Sequence, residues 1–310
     1  MVEQLGLFPA LALVVGVLSV GAWVVRFSSG VAYAVVAGAG VDVAEIVRRP
    51  IAEARWLIRQ QTVSTEAPDR ITWVLAPAAY LGLAAVAMTV VPVADGVAVA
   101  DVRTGIVVFG AAEALAIVAV FLHGWSPNSP FPLVAGYRFV GAALSYELLS
   151  MFVLIAAAIP AESLSIGAIV ESQSDLWNVV RQPLGLPLWL VVALGVTFRG
   201  PLDVVDSADL SAGGATESSG VQRLVWGFGR AAMLAVFAAA GAAVFLGGWH
   251  GPLLPGAVWM ALKSLGLVGL LVWIEATVAR VSVERFVRLS WSVLLPLGFA
   301  DLVIAGLGSL

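Results

Sequence analysis

Ionisable side chains stand inside strongly apolar stretches of this 310-residue chain, among them Glu113 in VVFGAAEALAIVAVFLHGW, Glu147 in GAALSYELLSMFVLIAAA, Arg230 in WGFGRAAMLAVF and Lys263 in MALKSLGLVGLLVW. Charge in such surroundings is costly and usually faces a bundle interior or a wet cavity, which makes each of these a candidate functional residue. A carboxylate placed there can take up and release a proton, the property a relay requires. The alternative is structural: Glu113 or Glu147 pairs with an arginine and holds two helices together. Arg138 precedes Glu147 on the same stretch. Lys263 can snorkel outward or point inward as a buried cation, whereas Arg230, about two turns into its stretch, can hardly snorkel unless that end is wet. Glu275 and Arg280, in WIEATVARVSVERF, stand at a stretch end and read as anchors.

A second group of acids lies in RGPLDVVDSADLSAGGATESSG, residues 199–220, which carries Asp203, Asp206, Asp209 and Glu217 between two apolar stretches. Pro201 and the glycines oppose a continuous helix. The segment reads as an acidic loop outside the hydrocarbon, either a solvated connection or a surface that meets a protein or ligand.

The elements that must position these residues follow from composition. With 61% hydrophobic and 12% charged residues and a mean hydropathy of +1.00, the chain has too much apolar surface for a soluble domain. It reads as a single all-α transmembrane domain over residues 1–310, a polytopic bundle in the lipid bilayer. A bilayer core needs about 20 apolar residues per helix. Eight spans supply them, near 5–25, 72–93, 105–123, 133–159, 183–198, 223–248, 256–279 and 288–308. Connections after the odd spans carry Arg48, Arg49, Arg55, Arg59, Arg70, Arg199, Arg223, Arg280, Arg285 and Arg288, against Arg103 and Arg181 after the even ones. That asymmetry places the odd connections, and the acidic loop with them, in the cytoplasm and both termini outside.

After the first span, FSSGVAYAVVAGAG either prolongs the helix or turns back at its Gly-rich end. Residues 41–61 repeat apolar positions at helical spacing with Glu45, Arg48, Arg55 and Arg59 between them, which predicts an amphipathic helix lying in the interface. Pro50 is expected to kink or split it. A net charge of −4 without a basic, aromatic-interleaved patch gives no nucleic-acid signature. The absence of cysteine excludes Cys-ligated zinc or iron–sulfur clusters in this chain, and His123 and His250 alone cannot make a metal site. The apolar run after Met1 to Gln4 lacks a basic region and reads as a retained first span.

GWSPNSPFPLVAGYRFVGAALSYE, RGPLDVVDSADLSAGGATESSG, FLGGWHGP, ALKS and RLSWSVLLPL resemble, in order and spacing, successive blocks of the H-subunit family of bacterial NADH-quinone oxidoreductase, the respiratory complex I membrane subunit. The same superfamily includes the membrane subunits of energy-converting hydrogenases and formate hydrogenlyase. The resemblance covers about residues 45–305. It implies a subunit without bound cofactor or metal and without turnover of its own. Such a subunit docks the iron–sulfur subunits of a hydrophilic arm, neighbours antiporter-like membrane subunits, forms much of the chamber for the substrate quinone, and begins a chain of membrane carboxylates coupled to proton translocation. It lies in the cell membrane.

By that resemblance Arg199, Pro201 and Asp203 match an Arg-x-Pro-x-Asp motif, and Asp206, Asp209 and Glu217 match loop acids. Tyr146 and Glu147 match a Tyr-Glu pair with Arg138 upstream, Pro50 and Glu53 stand where Gln-Pro-x-Ala-Asp is usual, and Lys263 matches a lysine of the seventh span. Glu147, Arg138, Lys263 and the loop acids are thereby implied in proton coupling, and Arg199, Pro201, Pro50 and Glu53 in the quinone chamber and arm docking. GAGVDVAEI replaces a Gly-Pro-Asn-Arg loop; Val196 and Arg230 stand where glutamates are usual, and Glu275 where respiratory members often have arginine. Three classes remain: a coupling subunit of a quinone-reducing complex, a hydrogenase-like anchor that no quinone enters, and an independent secondary transporter. A pocket deep enough for an isoprenoid tail, between the first span, the amphipathic helix and the sixth span, separates the first from the second. Glu147→Gln is expected to lower coupled turnover while the assembled complex persists, measured as quinone reduction and proton uptake in membranes; loss of assembly would assign Glu147 to structure.

Overall fold

The computed structural model describes residues 6–203 and 213–308. Twelve α-helices make up the described chain: α1 Leu7–Val36, α2 Val43–Arg59, α3 Arg70–Thr89, α4 Gly105–Trp125, α5 Pro130–Ala158, α6 Ile166–Glu171, α7 Asn178–Arg181, α8 Gly185–Val196, α9 Gly220–Phe245, α10 Gly256–Thr277, α11 Val283–Leu289 and α12 Leu295–Gly308. One π-helical turn, Ser290–Leu294, joins the last two. Asp42 caps α2 by accepting from the Ala44 and Glu45 amides at 3.0 and 3.1 Å. Asp69 caps α3 in the same way, and hydrogen bonds from Thr72, then Ile71, hold its carboxyl below the usual aspartate range.

Helix α9 is the axis. From Ala231 to Phe245 nearly every residue is buried, because the run AAMLAVFAAAGAAVF lets neighbouring backbones approach from several sides. Helices α1, α3, α8 and α10 pack on it. Trp189 of α8 seals one seam, its indole donating to the Phe237 carbonyl at 3.0 Å within a ring cluster that includes Phe109. Large apolar side chains such as Leu11, Val74, Leu115 and Trp273 remain on the outside, where lipid meets them.

Among the described residues, seven helical stretches are long and apolar enough to cross a bilayer. The expected span at 183–198 differs: α8 has only 12 residues, about 18 Å of rise. It begins beside Phe245 and Asp301 and ends beside Tyr80, whose hydroxyl donates to the Val196 carbonyl at 3.0 Å. The irregular segment 197–203 finishes that passage, ending where Arg280 grips Asp203 at 2.9 Å. Sequence length alone hid this because apolar residues continue on both sides of a helix that stops early.

Of the two courses open after the first span, the helix takes the longer one and continues to Val36. Helix α2 is not split by Pro50, which lies within one continuous helix. The expected acidic loop 199–220 is not a free connection at its ends: Val63 N donates to Ser219 Oγ at 2.8 Å, and Glu217 accepts from Ser129 Oγ at 3.0 Å. Asp206 and Asp209 lie outside the described residues.

Helices α4 and α5 cross closely at Gly124, where an added Cβ would come 2.5 Å from the Pro132 carbonyl and 3.2 Å from Gly136. Backbone cannot yield as a side chain can. Gly124→Val is therefore expected to destabilise the protein by about 1–3 kcal/mol, read as a lowered Tm in detergent.

Candidate functional site: an arginine-lined cavity and a buried acid pair

Helices α1, α2, α9 and α10 and the irregular segment 197–203 enclose a cavity of about 420 Å³. Helix α1 contributes Arg26, Ser29, Gly30 and Tyr33, which fall at i, i+3, i+4 and i+7 and so share one face. Arg49, Pro50 and Glu53 face it from α2, Arg230 from α9 and Glu275 from α10, with Arg199 from the irregular segment. Arginines outnumber carboxylates on the wall, so the cavity favours electron-rich groups.

Two ion pairs hold the walls. Arg26 Nη1 meets Glu53 Oε2 at 2.7 Å and joins α1 to α2. Arg199 Nη1 meets Glu275 Oε2 at 2.7 Å and reaches Ser29 Oγ at 3.3 Å. Withdrawing a guanidinium from water is costly, and a carboxylate in direct contact offsets that cost. Glu275 is thus not the surface anchor its position at a helix end suggested; it is the counter-charge of a nearly buried arginine, and Tyr33 Oη approaches its other oxygen at 3.4 Å.

Arg230 serves the backbone. Its guanidinium donates to the Phe198 carbonyl at 2.8 Å and more loosely to the Thr197 carbonyl at 3.4 Å, and lies 4.4 Å from the centre of the Phe198 ring. Phe198 has φ +38°, a region a bulky residue rarely adopts. Stacking on Trp226 at 5.5 Å and an edge contact with Phe139 at 5.6 Å hold it there.

Phe139 leads from this segment to a second polar group, since its ring lies 5.8 Å from that of Tyr146. Next to Tyr146 is Glu147, which interacts electrostatically with Glu113 across the α4–α5 seam. Glu113 is 2% exposed and accepts from Ser150 Oγ at 2.7 Å. Its other oxygen, the Tyr146 hydroxyl and Glu147 Oε2 are buried without hydrogen-bond partners.

The expected site residues therefore divide. Arg199, Pro50 and Glu53 gather at the cavity. Pro201 stands in the irregular segment beside it, where its carbonyl accepts from the Val281 amide at 2.9 Å, and Asp203 follows with Arg280. Glu147 belongs to the acid pair, with Arg138 at an earlier level of α5, while Glu217 lies at the loop's return near Ser129. Lys263 is apart from all of these: it is buried at the other end, donating to the Gly248 and His250 carbonyls at 2.9 and 2.6 Å over the Trp177 ring. Among the described residues no three His, Asp or Glu side chains gather where they could hold a metal.

Sequence reasoning missed Arg26, Ser29 and Tyr33. Their polar stripe at helical spacing was the available signal, obscured because two courses were open to the chain after the first span. It also missed Ser150, a short polar residue one turn from Glu147. Glu275→Ala is expected to cost about 3 kcal/mol or more, because it strands the nearly buried Arg199 charge, with the loss read from thermal unfolding of the purified protein.

Comparison with known proteins accords with this architecture. The family model described as NADH dehydrogenase matches residues 10–306. A protein of Rhodopseudomonas palustris (strain BisB5), named as an H subunit of NADH-quinone oxidoreductase, is 34% identical over 240 residues, 77% of this chain and 75% of its own length. H subunits of the same enzyme from Syntrophotalea carbinolica, 30% identical over 266 residues (83% and 81% of the two chains), and Magnetococcus marinus, 32% over 267 residues (84% and 78%), are similar as well. With a match running almost from end to end of an all-helical, multi-pass membrane bundle, the chain belongs to the NADH dehydrogenase family.

Proposed function

We propose that this chain is the membrane-embedded H subunit of a complex-I-type NADH-quinone oxidoreductase and that the arginine-lined cavity receives the quinone head. The observation that carries the reading is the cavity's position between α1, α2 and α9, where a quinone-admitting subunit would need its pocket. A quinone head offers carbonyl oxygens that accept hydrogen bonds and gain negative charge on reduction. Arg26, Arg49, Arg199 and Arg230 supply donors and positive potential for both states. Helix α2 exposes Ile51 and Ile58, seven positions apart and so on one side, an apolar pair suited to the bilayer interface.

Coupling would run through the irregular segment. Quinone reduction changes the charge facing Arg199 and Arg230. Arg230 holds the Phe198 carbonyl, and Phe198 packs through Phe139 against Tyr146, beside Glu147. A shift of this segment alters the surroundings of Glu147 and of Glu113 on the neighbouring helix, carboxylates able to hold and pass on a proton. The excess of arginine in the odd connections supports a cavity end on the cytoplasmic side of a cell membrane. There the acidic loop and α2 meet the iron–sulfur arm, while antiporter-like subunits adjoin the bundle.

The test begins with a pull-down of tagged protein from gently solubilised membranes. Iron–sulfur arm subunits are expected to co-purify with quinone reduction that a quinone-site inhibitor blocks; an arm that reduces no quinone would overturn the quinone reading, and absence of any arm would overturn the complex itself. In the assembled complex, Ser29→Phe, which intrudes on the cavity, is expected to raise KM for quinone roughly tenfold, about 1.4 kcal/mol of lost binding.

A further inference from the structure

A separate group of unsatisfied polar atoms lies at the end of the bundle opposite the cavity. Asp301 in α12 and Gln182, just ahead of α8, are both completely buried. Neither carboxylate oxygen of Asp301 and neither amide atom of Gln182 has a hydrogen-bond partner. Both side chains crowd the open side of Gly185: a Cβ there would stand 3.1 Å from Asp301 Oδ2, 3.4 Å from Gln182 Cδ and 2.9 Å from the Phe245 ring. The amides of Leu184 and Gly185, at the start of α8, are directed at the carboxylate without closing on it as full hydrogen bonds.

Interiors seldom leave even one buried polar atom unmatched, and here four converge on one place. Unmatched buried polar groups of this kind are normally reached by water that bridges them. The carboxylate also has no charged partner among the described residues. Its own helix carries no other ionisable side chain and α8 carries none. On α7, Arg181 is turned to the Ser172 carbonyl at 2.8 Å. On α5, Glu147 belongs with Glu113. The π-helical turn offers only the hydroxyls of Ser290 and Ser292.

The neighbours present serve both protonation states. The ionised carboxylate would be met by the α8 amides and the positive end of that helix, with the Gln182 amide N–H as a further donor. The neutral acid would donate its O–H to Gln182 Oε1. A residue meant only to cap α8 would need the first arrangement alone, drawn close. We propose that Asp301, Gln182 and the first turn of α8 form a hydrated proton-holding site, distinct from the Glu113–Glu147 pair. The step is proton transfer only: the acid O–H bond breaks, the proton passes to water in the site, and no electron moves. The reading under Proposed function bears on where the proton goes next, while the site can be tested without it.

The test uses the full chain in whatever assembly it purifies with. Infrared pH-difference spectra, in H2O and D2O, are compared for wild type, Asp301→Asn, Gln182→Leu and Glu147→Gln. Asparagine keeps an oxygen for the α8 amides, so the fold is expected to survive. A titrating carboxyl C=O band should disappear in Asp301→Asn, shift in Gln182→Leu and persist in Glu147→Gln. An unchanged set of bands in Asp301→Asn would overturn the proposal and leave Asp301 as a fixed cap for α8. A band that responds to sodium at constant pH would overturn it in favour of a cation site. An assembly that reduces no quinone but loses the band on Asp301→Asn would overturn the quinone-complex reading and uphold this site.

Discussion

Seven residues of irregular backbone, 197–203, follow α8, and the first four of them are buried in the bundle. At membrane depth such a stretch survives only when protein groups replace water at its carbonyls and amides. Arg230 does so for the Thr197 and Phe198 carbonyls, the Leu194 carbonyl for the Arg199 amide and the Val281 amide for the Pro201 carbonyl. Each of these partners comes with a cost of its own. An arginine in α9 needs a polar space, and Arg199 needs Glu275. The cavity is the space in which those needs are met.

This explains why charges that seem misplaced one by one make sense together. Arg230 in an apolar helix and Glu275 near a helix end face the same 420 Å³ volume, where each answers a group of the irregular segment. The segment's other side is apolar: Phe198 stacks on Trp226, and Trp226 stacks on His123 at 3.8 Å. It therefore borders both the polar cavity and the aromatic packing that leads to Tyr146 and the buried acids. A rearrangement forced from the cavity has a continuous set of contacts through which to act.

The two ends of the bundle are built differently. At the cavity end, ion pairs join α1 to α2 and the irregular segment to α10. At the opposite end, short elements α6 and α7 are tied to α9 by amides: Gln173 and Asn178 donate to the Ala243 and Val244 carbonyls, both at 2.9 Å. Lys263 then caps the adjoining turn through its carbonyl contacts. That end is held by neutral hydrogen bonds and one buried cation, and Asp301 is its unmatched acid.

Sequence by itself determined the all-helical membrane class, most span positions and the amphipathic helix, and it singled out Glu147, Arg199, Pro50 and Glu53 as candidates. These follow from local quantities: apolar run length, helical period, the expense of a charge within an apolar run and short blocks of resemblance. Only the tertiary structure decided where α8 stops, that Ser29 and Tyr33 join Arg199 across 170 and 166 positions of chain, and that Lys263 stands far from the acids. A short helix is tolerated because the irregular segment, its carbonyls held by Arg230 of α9, completes the passage, and an ion pair depends on which faces meet. Both are matters of three-dimensional packing between residues remote in sequence, on which the one-dimensional hydrophobic pattern is silent.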